Sequence, residues 1–216
     1  MTGFSDEVWD SVSEIRRSID DHPFVAGLAD GTLPREVFTG YLAQDAHYLS
    51  DYARVLASCA TQSRTADDLV FWAGGAQQAV LVERSLHTSH VADLDRHEKS
   101  PACTAYTSFL LGLATGGSYP VLVAGVLPCY WIYEDVGRRL RERVGDLTGH
   151  PYGDWIGTYG DPAFAAATAT ARQIVDRVAA ESGASTVRRM AEAFVTASRH
   201  EWLFWDAAWR QEAWPV

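Results

Sequence analysis

Apolar residues recur every three or four positions along most of this chain, and alternation at every second position is never sustained. That period predicts helices over 4–20, 34–62, 65–90, 101–114, 118–145, 161–182 and 185–212, with short helical turns near 23–29 and 151–158 filling the joints. Capping signals punctuate the runs: Thr32 followed by Pro34, Ser100 before Pro101, Asp161 before Pro162, and Ser185. The stretch "VLVAGVL" at 121–127 is rich enough in β-branched residues to suit a strand, but it continues into the helical "CYWIYEDVGRRLRERV". The pattern therefore predicts an all-α fold. No internal repeat or long linker divides the chain, so residues 1–216 are expected to form one domain around a shared interior.

At three places the apolar faces turn polar. In "GYLAQDAHYLSDYARVL", Tyr41, Asp45, Tyr48 and Tyr52 fall on one side of a helix, bordered by Leu42, Leu49 and Leu56. This is either a hydrated surface face or a carboxylate held between tyrosines at the edge of the core. In the last helix Met190, Phe194, Ala197, Glu201, Phe204 and Ala208 share a face, which places a carboxylate among apolar neighbours. A buried Glu has a raised pKa and is a ready general acid or base, whereas one at the bundle rim would simply bond a tyrosine or arginine. In "GVLPCYWIYED", Pro128 removes a helical hydrogen bond near Ala124, a cost of ~3 kcal/mol unless something offsets it, and predicts a bend with local widening beside Cys129 and Tyr133. A cysteine there is a nucleophile or a small buried hydrophobe.

Composition narrows the picture. Hydrophobic residues make up 47% and charged ones 21%, and no run approaches the roughly 20 apolar residues a membrane span needs. The opening "MTGFSDEVWDSVSEIRR" has no apolar leader, and the three cysteines, Cys59, Cys103 and Cys129, lack disulfide or C-x-x-C spacing, so a cytoplasmic protein with reduced thiols is expected. With 28 acidic against 18 basic residues the net charge is −10, which disfavours nucleic acid as a partner. Aromatic residues reach 12%, suiting either a well-filled core or a cavity that stacks a flat ligand.

Four blocks, "HPFVAGLADGTLPREVFTGYLAQDAHYLSDYARVLA" (22–57), "YPVLVAGVLPCYWIYEDVG" (119–137), "YGDWIGTYGDPAF" (152–164) and "EWLFWDAAW" (201–209), resemble the TenA, or thiaminase II, family. The resemblance implies a heme-oxygenase-like multi-helix bundle without heme, assembled as a homotetramer. It implies hydrolysis of an aminopyrimidine, 4-amino-5-aminomethyl-2-methylpyrimidine or thiamin, to the hydroxymethylpyrimidine, with no metal or organic cofactor. Matched position by position, Cys129 stands where the family has its nucleophile, Glu201 its acid/base, and Asp45 the carboxylate that grips the pyrimidine. Tyr48, Tyr106, Tyr133, Tyr159 and Phe204 match positions that line or stack on the ring. The match places the chain in the cysteine-containing group of the family.

Two other readings compete. Seven histidines, with Glu83, His87 and His90 on one helical face, invite a di-iron site, but the last helix offers Phe204 and Ala207 where further ligands would be needed beside His200. The simpler expectation for that face is a polar surface with Glu83 and His87 paired. A non-catalytic heterocycle binder, or an interaction protein that regulates secretion or transcription, would need no nucleophile. Trp131, Cys59 and Cys103 are expected in the core, and "RRLRERVGD" (138–146) as a solvated helix end with cations favourable to the helix dipole. Trp209 and Trp214 suit either an interface or docking onto their own chain.

Overall fold

The computed structural model describes residues 3–90 and 98–216, with side chains described throughout except at 82–90. The face formed by Glu83, His87 and His90, and also His97, lie outside the described side chains. The described helices are α1 (Phe4–Ser11), α2 (Ser13–Asp20), α3 (Pro23–Asp30), α4 (Arg35–Gln62), α5 (Ala66–His90), α6 (Pro101–Thr115), α7 (Tyr119–Val144), α8 (Gly153–Tyr159), α9 (Pro162–Ala180) and α10 (Ala184–Trp209). Among the described residues there is no strand, and "VLVAGVL" lies wholly within α7.

The single helix expected over 4–20 is two helices that meet at Val12 (φ −104°, ψ 17°). Ser11 Oγ donates to the Val8 carbonyl at 2.7 Å, offering the backbone a local alternative to the helical ladder. Thr32 does not cap α4, whose N-cap position is Pro34; Thr32 belongs to the end of α3, its N–H donating to Gly27 O at 3.0 Å after a left-handed Gly31 (φ 69°). Ser185 lies inside α10, whose cap is Gly183. At Ser100 and Asp161 the expected caps form, with the side chains accepting from Cys103 N at 3.2 Å and Ala163 N at 2.7 Å.

Packing follows from these lengths. Helix α4 lies along α5 across the short connection 63–65, α7 packs on α10 and α9, and α6 touches α4, α7 and α10. Buried apolar side chains from all ten helices form one cluster. Helix α8 rests so closely on α7 that a Cβ added at Gly137 would stand 2.4 Å from the backbone of Tyr159. Only glycine permits that approach, and it fixes where Tyr159 points.

Helix α7 continues through Pro128, and one turn of its backbone is tied to α4 where Tyr52 Oη donates to Val126 O at 2.8 Å. Trp131 is buried, stacked on Trp9 with centroids 4.0 Å apart, and the pair is flanked by the guanidinium groups of Arg16 and Arg172. The segment 138–146 is more than a solvated end. Arg139 pairs with Asp20 and Arg143 with Asp30 (2.7 Å), binding α7 to α2 and α3. Trp214 docks on its own chain, its indole N–H donating to Lys99 O at 2.9 Å.

Candidate active site

Helices α4, α7, α8 and α9 wall a cavity of about 540 Å³, with α5 along its outer side. Asp45, Tyr48, Cys129, Tyr133 and Tyr159 all line it. The tyrosine stripe of α4 is therefore interior: Tyr41, Asp45, Tyr48 and Tyr52 are all buried, Asp45 with 2% of its surface exposed. Their spacing turns one face of α4 toward α7 and α10. The rings interlock, with Tyr48 parallel to Tyr52 at 5.3 Å and Tyr133 packed on Tyr159 at 4.9 Å and on Trp205 at 5.1 Å. Tyr41 Oη donates to Tyr133 Oη at 3.2 Å.

Glu201, Tyr106 and Phe204 stand one layer behind this wall. Glu201 is 1% exposed and accepts a 2.5 Å hydrogen bond from Tyr106 Oη. The Tyr106 ring packs on Tyr48 at 5.0 Å, and Phe204 packs on the other side of Tyr48 at 5.6 Å. The buried Tyr48 hydroxyl is close enough to the Cys129 thiol and the Tyr106 hydroxyl to act on both. His200 stacks on Tyr106 with centroids 5.2 Å apart. Phe204 also borders a separate surface pocket beneath Trp214.

Electrostatics set the resting protonation states. Burial pushes the Glu201 carboxyl up from 4.5 to about 8; the Tyr106 hydrogen bond opposes this rise and the charge of Asp45 adds to it. Burial also raises the Cys129 thiol well above its ordinary range, reinforced by Glu201 and Asp45 and opposed by the Tyr48 and Tyr52 hydroxyls. Cys129 is only partly enclosed because it borders the cavity, whereas Cys59 and Cys103 are fully buried. Burial pushes the Cys103 thiol up to about 12, a rise that the nearby Lys99 opposes and the charges of Asp45 and Asp51 reinforce. At neutral pH the site holds a neutral thiol beside a largely protonated carboxyl. Among the described residues lining the cavity the charged ones, Asp45 and Asp161, are both acidic, and none is Lys, Arg or His.

Among the described residues no cluster of three or more His, Cys, Asp or Glu could hold a metal ion. His22 is spent on capping α3, accepting from Phe24 N at 3.2 Å. No helix among the described residues is long and apolar enough to cross a membrane.

The family model described as TENA/THI-4/PQQC matches residues 9–211, nearly the whole chain. The chain belongs to this family. It is 33% identical over 219 residues to an aminopyrimidine aminohydrolase of Bacillus subtilis, covering 98% of this chain and 92% of that protein. It is 37% identical over 208 residues to the thiamine biosynthesis multifunctional protein ThiED of Corynebacterium efficiens, covering 94% of this chain but spanning only 28% of that protein. Among solved structures, a TenA homologue of P. horikoshii OT3 superposes with a TM-score of 0.85 at 27% identity, covering 97% of this chain and 99% of that one. A Shewanella denitrificans domain with a heme oxygenase-like fold superposes at a TM-score of 0.72 and 14% identity, over 95% of this chain and 91% of that one, a likeness of fold.

Within this TENA/THI-4/PQQC chain, several cavity residues carry no assignment from sequence. Tyr52 lies on the stripe already singled out, and Tyr130 and Phe164 lie inside the quoted blocks, so their signal was position beside a candidate nucleophile or helix cap. Phe71 and Gly75 come from α5, whose consecutive Gly74 and Gly75 in a helix interior are the one local sign of a close approach.

Proposed function

We propose that this chain hydrolyses an aminopyrimidine, 4-amino-5-aminomethyl-2-methylpyrimidine or thiamin, to the hydroxymethylpyrimidine through a covalent adduct on Cys129. The observation that carries the reading is the pairing of two carboxyls with one thiol: Asp45 and Cys129 line one cavity, and Glu201 sits behind it, close enough that ionising its carboxyl acts on the sulfur.

The flat heterocycle stacks among Tyr48, Tyr133 and Tyr159, with Asp45 meeting its amino group and ring nitrogen. As the Cys129 S–C bond forms at the electron-poor ring, the thiol proton leaves and a ring nitrogen gains one, so buried sulfur never carries an isolated charge. The bond between the exocyclic methylene and the leaving nitrogen then breaks, its electron pair going to nitrogen; in the aminomethyl substrate that nitrogen takes the Glu201 proton and leaves as ammonia, whereas the thiazole of thiamin leaves neutral without one. Glu201, now a carboxylate, accepts a proton from the water that adds to the methylene, and the C–S bond breaks to return the thiol. For the aminomethyl substrate the net change is amine plus water to alcohol plus ammonia. Tyr106 orients Glu201, and Phe204 supports Tyr48 from behind.

We also infer one domain over 1–216, a cytoplasmic setting that keeps the thiols reduced, and assembly into a homo-oligomer. Free cysteines and the exposed Leu69 and Val70 on α5, 48% and 68% accessible, support the last two. The test is ammonia release from the aminomethylpyrimidine. Wild-type protein should release it and Cys129→Ser should not; release by Cys129→Ser at the wild-type rate would exclude covalent catalysis through this thiol.

A further inference from the structure

The cavity is larger than a single pyrimidine ring requires, and its two ends differ. At the inner end the wall is backed by the buried Tyr41, Tyr106, Glu201 and Trp205. The outer end is lined by Phe71 and Gly75 of α5, Tyr130 of α7 and Phe164 of α9, with Phe71 and Phe164 half-exposed. Tyr130 lies parallel to Phe164 at 6.0 Å and packs on Phe71 at 6.2 Å. Tyr159 joins the two ends, since its ring meets Tyr133 at 4.9 Å and Phe164 at 5.6 Å. The aromatic surface is thus continuous from beside Cys129 to the mouth.

We propose that this outer aromatic compartment, built by Phe71, Gly75, Tyr130 and Phe164, binds the leaving half of the substrate and selects a planar heteroaromatic leaving group. The inference rests on the hydrolysis proposed above and assigns residues to its second half. A pyrimidine held at Asp45 and Cys129 has its exocyclic methylene directed to one side of the ring, and the open direction from the inner end runs past Tyr130, the residue next to the nucleophile. A flat group attached there meets ring faces on which it can stack. Asp161 at the rim adds a negative charge, its carboxylate accepting from Ala163 N at 2.7 Å, which suits a heteroaromatic cation before its release as a neutral base. For such a substrate the balance is pyrimidylmethyl–heteroarylium plus water to alcohol, neutral heteroarene and a proton. Gly75 sets the depth of the compartment: a Cβ at this position would stand 2.5 Å from the Tyr130 hydroxyl and push that ring into the space.

The experiment compares kcat/KM for thiamin, whose leaving group is a flat thiazolium, with that for 4-amino-5-aminomethyl-2-methylpyrimidine, whose leaving group is ammonia. The measurement is made in the wild type, Gly75→Ala and Phe164→Ala. The thiamin-to-amine ratio should fall roughly five- to ten-fold in each variant, the size of one lost aromatic contact. A ratio unchanged in both variants overturns the inference, as does a wild type that releases ammonia but leaves thiamin intact. A wild type that turns over neither compound overturns the hydrolysis reading itself, and this inference with it.

Discussion

Tyr106 and Glu201, 95 residues apart in the chain, are joined inside the protein by a 2.5 Å hydrogen bond from the phenol to the carboxyl. Tyr106 is carried on α6, and the bond opposes the rise that burial imposes on Glu201. In Tyr106→Phe the carboxyl should therefore titrate higher than about 8, and the alkaline limb of the kcat/KM profile should move upward with it. Peak activity should fall roughly ten- to a hundred-fold, the range for a hydrogen bond to an ionisable group. An alkaline limb that stays in place would mean that another group controls it.

Glu201→Gln separates catalysis from stability. The variant keeps an acceptor for Tyr106 but can neither give nor take a proton, so kcat should drop roughly a hundred- to ten-thousand-fold. Because the folded carboxyl is raised from 4.5 to about 8, its contribution to stability is fully present below pH 4.5 and is lost as the pH rises through 8. At pH 8.5 the variant should therefore outlast the wild type in urea by on the order of a few kcal/mol, while the two unfold together at pH 4. Equal stability at both pH values would show that Glu201 is not held in its acid form.

The three thiols should differ sharply in reactivity. Iodoacetamide on the native protein should label Cys129, which borders the cavity, and spare the fully buried Cys59 and Cys103. Labelling should keep accelerating past about pH 8.5, because burial and Glu201 hold the Cys129 thiol up. Peptide mass mapping showing all three labelled alike, or a rate that levels off below pH 8, would contradict this account.

Gly137 and Gly40 form a matched pair of tests. At Gly137 an added methyl meets the Tyr159 backbone at 2.4 Å, so Gly137→Ala must displace α8, at about 1–3 kcal/mol, and should raise KM by moving Tyr159. At Gly40, within α4, nothing stands within 4 Å, and Gly40→Ala should stabilise by up to ~1 kcal/mol through helix propensity. Thermal melts of the two variants give the comparison, and similar shifts in both would mean that α8 does not rest on Gly137 as described.

Much of this architecture could be read before any coordinates. Long amphipathic runs such as α4 and α10 announce themselves because burial of one face repeats the same signal over roughly seven to eight turns. That periodicity also marks Asp45 and Glu201, whose polarity breaks an otherwise apolar face. Short-range features were less legible. Thr32 resembles a cap in sequence, but the end of α3 competes for the same residue, and the break at Val12 depends on a Ser11 bond that a helical pattern does not reveal. Sequence also could not say that Tyr106 and Phe204 form a second layer rather than the cavity wall, since layer depth depends on how three helices pack. The outer compartment was least visible of all, because Phe71, Tyr130 and Phe164 come from three helices and meet only in the folded molecule.

Among the described residues, the charged side chains lining the cavity beside Cys129, Asp45 and Asp161, are both negative. A diphosphate tail arriving at its mouth would meet no basic side chain among the described lining residues and would shed its water for little in return. Under the proposed reaction, substrates carrying such tails would therefore turn over more slowly than their uncharged relatives.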